Sequence, residues 1–71
     1  MAHKHKFKVG DRVISEGVIS TIHTIGYATA NSRNFTVCAA GTEVADADQI
    51  GYQVFMGHKI KIMKECDITL A

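Results

Sequence analysis

Apolar residues recur mostly at every second position along this chain, in short runs broken by glycines and polar residues. A period of two marks strands with one buried face. Phe7 to Ile14 sets apolar side chains around Gly10-Asp11, so Phe7, Val9 and Val13 share a core face if the chain kinks at Gly10. A first strand is expected near residues 11–15, followed by turn chemistry at Ser15-Glu16-Gly17. Val18 to Ile25 is dense in β-branched residues, which pack better on a pleated surface than in a helix. Its apolar positions 18, 19, 22 and 25 also suit a helix, but the flanking Gly17 and Gly26 favour a strand carrying a bulge.

Tyr27 to Asn34 is small and polar and predicts a surface loop. Asn34 to Ala39 alternates again, with Phe35, Val37 and Ala39 on one face. In the acidic stretch Gly41 to Gln49, Thr42 is placed to cap a single helical turn over Glu43 to Ala47. Ile50, Tyr52 and Val54 form one face of a further strand, and Met56-Gly57-His58 offers a turn. The strand after it is expected to point Ile60 and Ile62 inward and Lys59, Lys61 and Met63 outward, with Ile68 and Leu70 plugging the end. About five short strands without an amphipathic helix predict an all-β fold, a single small barrel whose closure removes exposed edges. The polar residues 1–6 are expected to fray as a flexible basic tail before a domain over residues 7–71.

Seventy-one residues sustain one core and no more. A composition 46% hydrophobic and 21% charged excludes disorder, and no apolar stretch approaches the roughly 20 residues that cross a bilayer. The basic start lacks the apolar segment of a signal peptide. Cys38 and Cys66 are too far apart for a Cys-x-x-Cys motif, and a reduced, cytoplasmic chain is expected. A net charge of +1 announces no nucleic-acid binder, but the charges are unevenly spread. Lys4, Lys6, Lys8 and Arg12 open the chain, Glu43, Asp46 and Asp48 fall in a stretch without Lys or Arg, and Lys59, Lys61 and Lys64 follow it.

Val9-Gly10-Asp11-Arg12-Val13-Ile14, then Gly17-Val18-Ile19 with Ile22, then Phe35-Thr36-Val37 and a closing Asp67-Ile68-Thr69-Leu70, resembles the layout of SH3-like small barrels of the KOW and related bacterial types. The likeness covers roughly residues 7–26 and 59–71. It implies a five-stranded SH3-like barrel, in keeping with a small bacterial or phage accessory protein, and leaves the ligand open because such barrels bind RNA, DNA, peptides and proteins alike. One enzyme family on this scaffold, the plasmid type II dihydrofolate reductases, lines its pore with Val-Gln-Ile-Tyr. Here the corresponding strand reads Ile60-Lys61-Ile62-Met63, so the Gln and Tyr used on folate and nicotinamide are replaced.

No Cys/His cluster, carboxylate pair or Ser/His/Asp set has the spacing of a known catalytic or metal site, and no enzymatic activity, cofactor or metal is expected. His3-x-His5 could join a metal site with His23 or His58, but a frayed tail explains it more simply. His23 is expected to point away from Ile22, exposed or hydrogen-bonded. Two surfaces remain. Tyr52, Phe55 and Met56 lie beside the acidic stretch, and if Phe55 and Met56 cannot both reach the core across a strand, one is exposed and suggests a patch for a protein partner or for self-association, unless a bulge turns both inward. Tyr27, Arg33, Lys59 and Lys61 suggest RNA or single-stranded DNA, with cations for phosphates and a ring for a base, unless the lysines only guard an edge strand. The leading expectation is a non-enzymatic protein-binding module, and the alternative is a nucleic-acid-binding barrel.

Overall fold

The computed structural model describes residues 2–29 and 33–71. Six strands form one antiparallel sheet: β1 (Arg12–Ser15), β2 (Val18–Thr29), β3 (Asn34–Val37), β4 (Ile50–Phe55), β5 (Ile60–Lys64) and β6 (Ile68–Leu70). Their order is β5-β4-β2-β1-β6, with β3 also on β2. The fold is all-β, and β5 and β6 remain unjoined, so the sheet is not closed into a barrel. The sixth strand is the segment expected only to plug the end: Ile68 to Leu70 pairs with Ser15 to Val13.

β1 and β2 meet at a two-residue turn in which Glu16 (φ 52°) and Gly17 (φ 76°) are both left-handed. Such a turn matches the right-handed twist of the strands it joins and fixes the register Ser15↔Val18, Ile14↔Ile19 and Val13↔Ser20. β2 continues well past Gly26. Tyr27 to Thr29, expected in a loop, pair with β3, and Tyr27 pairs with Ile50 of β4 as well. Pairing of Tyr27 on both sides carries β2 past Gly26, and pairing with β3 extends it through Ala28 and Thr29. The bulge falls at His23, where the register with β4 shifts between Ile22 and Thr24.

The core comprises Phe7, Val13, Ile22, Ile25, Val44, Ile50, Tyr52, Val54, Met56, Met63 and Ile68. Gly10 (φ 94°) supplies the kink that turns Phe7 and Val13 inward, while Val9 stays exposed. β5 faces the opposite way from its expected orientation. Met63 lies opposite Tyr52 and is buried, Ile60 is exposed and Ile62 half-buried, because a one-residue change of phase sends every side chain to the other face. No helical turn forms over residues 43–47. Thr42 Oγ1 donates instead to Ala39 O at 2.7 Å, and 3-10 turns occur at Ala47–Gln49 and Glu65–Asp67.

On the face away from Ile25 and Tyr27, Gly26 and Gly51 are cross-strand neighbours. A Cβ on Gly51 would lie 2.7 Å from Ala28 Cβ, and one on Gly26 would run into the Phe35 ring and the Thr36 carbonyl. Phe35 therefore rests where only glycine fits. Gly26→Ala is expected to destabilise the chain by about 2 kcal/mol through overpacking against backbone that cannot retreat. Urea unfolding reads this directly, and an unchanged midpoint would contradict it.

Candidate functional site

The N-terminal segment, expected to be a loose tail, carries specific contacts with the sheet. His3 exchanges two backbone hydrogen bonds with Val44, at 2.8 and 2.9 Å. His5 Nε2 donates to the Gly26 carbonyl at 2.8 Å, and its ring meets Tyr52 edge-on. The Lys6 amide donates to Glu65 Oε2 at 2.9 Å, and the Phe7 amide donates to the Tyr52 hydroxyl at 3.2 Å. Each contact rests on a polar group that a hydropathy pattern does not weigh.

Tyr52 was a candidate for partner binding, and the structure places it in the core. Its β4 register sets it beside Ile25 and Met63, with no exposed surface. Its hydroxyl donates to Glu65 Oε2 at 2.6 Å. Burial, then the bond to Glu65, pushes the phenol well above its ordinary value. Met56 is buried too, with its amide donating to Lys59 O across the hairpin. Only Phe55 of the three is exposed, since alternation turns it away from Val54.

Phe55 belongs to an apolar outer face that cross-strand pairing assembles. Arg12, Thr21, Phe55 and Ile60 lie in one row across β1, β2, β4 and β5, because Arg12↔Thr21, Thr21↔Phe55 and Phe55↔Ile60 are partners. Beside them run Ile14↔Ile19 and Gln53↔Ile62. Ile19 is 63% exposed, Ile60 49% and Phe55 43%. Ile14, Ile19, Ile60 and Ile62 were not identified from the sequence. Ile14 and Ile19 stand symmetrically about Glu16-Gly17, and the register of a two-residue turn would have paired them.

Tyr27, Arg33, Lys59 and Lys61 do not converge. Tyr27 is paired with Ile50 at one end of β4 and packs against the core, whereas Lys61 is paired with Val54, four residues along. At about 3.3 Å per residue that is roughly 13 Å of strand. Arg33 is exposed at the β3 end of the sheet, beside Asn34, which pairs with Thr29. Lys61 is engaged by Glu16, whose carboxyl it holds below the usual range. Lys4 lies 3.9 Å from Glu43 on the exposed surface.

Among the described residues no group of three His, Cys, Asp or Glu side chains is placed to hold a metal. His23 is exposed as expected, with Nδ1 2.8 Å from Thr24 Oγ1. Cys38 and Cys66 are free thiols. An open depression of about 250 Å³ is lined by Lys6, Ala47, Asp48, Glu65 and Cys66, and its Glu65 carboxylate is already engaged by Tyr52 and Lys6. No helix of the described residues is long and apolar enough to cross a membrane. No protein-family model, curated protein or solved structure matches this chain.

The Tyr52 hydroxyl ties the N-terminal segment to the 3-10 turn after β5, so Tyr52→Phe leaves the Phe7 amide and the Glu65 carboxylate each short of a partner. A loss of about 1–2 kcal/mol is expected in urea unfolding at neutral pH. The phenol's pKa is raised by folding, so its stabilisation is complete below the unfolded value of about 10 and is lost as pH rises above it. Wild type should therefore lose stability above that pH more steeply than Tyr52→Phe, and parallel alkaline curves would refute the assignment.

Proposed function

We propose that the chain is a small all-β domain with the strand layout of SH3-like barrels, left open between β5 and β6, acting as a non-enzymatic protein-binding module that docks a partner protein through its outer face. The observation that carries this reading is that strand register sets Phe55 and Ile60, with Ile14 and Ile19 beside them, on one exposed face of the sheet. Exposed apolar side chains scattered singly need no explanation, but side chains brought together by strand register form a patch. Arg12 at the β1 end of the row gives it a polar border. Phe55 is the anchor, a large ring flanked by β-branched neighbours. The free thiols support a reduced, cytoplasmic setting for the module.

Selection from a displayed random-peptide library tests the reading. Binders selected on wild type should lose about tenfold or more in affinity on Phe55→Asp, and more on Phe55→Asp with Ile60→Asp, since truncating an anchor removes 1.4 kcal/mol or more. Both positions are exposed, so the thermal unfolding of the variants should stay close to that of wild type. Retained affinity in a folded double variant would overturn the reading, as would a failure to select any binder. Sedimentation equilibrium of wild type and Phe55→Asp tests the same face for a second copy of the chain.

A further inference from the structure

Strand β5 is an open edge. It pairs with β4 alone among the described residues, and no backbone hydrogen bond from its other side reaches another segment. The phase of the ladder follows from the hairpin. Met56 N–H donates to Lys59 O, so in an antiparallel pair Lys59, Lys61 and Met63 direct their backbone groups into β4. Ile60, Ile62 and Lys64 then direct theirs outward. That row of donors and acceptors is the template on which a further strand adds.

The side chains along the edge specify what kind of strand. Ile60 and Ile62 lie on the outer face with Phe55, and Lys59 and Lys61 alternate on the other. The nearby carboxylates are already taken: Glu16 is engaged by Lys61, and Glu65 accepts from Tyr52 and the Lys6 amide. Lys59 and Lys64 have no carboxylate within ion-pair distance among the described residues. Glu16 is itself an internal example of a carboxylate held by this edge, bonded to Lys61 and drawn further by Lys59. Pairing with a second copy of β5 centred on Lys61, the register that sets Ile60 against Ile62, brings Lys61 against Lys61.

Resting on the outer-face reading above, we infer that β5 captures an acidic, extended segment of a partner protein as an added antiparallel strand. Apolar residues of the segment lie beside Ile60 and Ile62 on the outer face, and its acidic residues meet Lys59 and Lys64, the lysines of this edge that no carboxylate engages among the described residues. Main-chain bonds to Ile60, Ile62 and Lys64 supply register, and the charges select the partner.

The test uses the full chain with an acetylated, amidated heptapeptide of alternating Glu and Val, followed by amide NMR and hydrogen exchange. Binding should slow exchange at the amides of Ile60, Ile62 and Lys64. Replacing every Glu of the peptide by Lys should weaken binding by about tenfold or more, and so should Lys59→Glu in the protein, which lies exposed in the hairpin. N-methylating the peptide amides that face β5 removes donors without altering its charge or touching the protein, and should also weaken binding about tenfold or more. Equal binding of the N-methylated peptide would overturn strand addition, as would protection appearing elsewhere or no binding at millimolar peptide. Stronger competition by a short oligouridylate for Lys59 and Lys64 would overturn it in favour of a phosphate ligand. If the heptapeptide fails while library-selected binders still depend on Phe55, the strand-addition inference falls and the outer-face module stands. If both fail, both fall.

Discussion

Strand β2 carries the ladder of three other strands, and the remaining structure is arranged around that demand. Over its 12 residues it pairs with β1 through Val18 to Thr21, with β3 through Gly26 to Thr29, and with β4 through Thr21 to Tyr27. β1 and β3 therefore share one edge of β2 and β4 takes the other. A straight strand would hold its neighbours in one flat layer with little enclosed volume, so β2 has to bend between them. The bulge at His23 bends it, since an unpaired residue on one strand increases local twist. Gly26, just beyond, allows Phe35 to close over the outside. The backbone groups of β2 also anchor the N-terminal segment: Ile22 accepts from Gly10 and donates to Asp11, and Gly26 accepts from His5.

How much of this was legible depended on whether a feature belonged to one strand or to a pair. The β-branched density of Val18 to Ile25 and the alternation of Ile50, Tyr52 and Val54 are properties of single segments, and both strands form with those residues in the places expected. The orientation of β5 is a property of a pair. Ile-Lys-Ile-Met-Lys alternates equally well in either phase, and only the partnership of Met63 with Tyr52 decides which set goes inside. The same holds for Tyr27 to Thr29, whose composition suits a loop until β3, and at Tyr27 β4 as well, supplies hydrogen bonds. The N-terminal segment was opaque for a different reason, because its attachments are a histidine ring, the amides of His3, Lys6 and Phe7, and a buried phenol.

The candidate site follows the same division. Phe55 stood out because Phe55 and Met56 are adjacent and a strand cannot bury both, and the structure resolves the conflict by burying Met56 past the end of β4. Tyr52 was drawn into that site by sequence proximity alone, two residues and therefore one full strand period before Val54. Ile14, Ile19 and Ile60 are apolar residues that hydropathy assigns to the core, and only strand register shows that they share the opposite face.

The exposed face and the core are two sides of one choice. Turning Ile60 and Ile62 inward would have carried Met63 to the outer face and set Ile62 or Lys64 opposite the Tyr52 ring. In the observed phase an unbranched, polarizable methionine packs on the Tyr52 side of the core, where its flexible chain adapts to the ring and to the neighbouring Phe7. The consequence is a sheet edge with isoleucines on its outer face and lysines along its rim. Lysines on an edge strand discourage pairing with uncharged or basic strands while leaving the backbone template intact. The side chains that protect such a small open sheet from indiscriminate association are thus the ones that would let it discriminate among partners by charge.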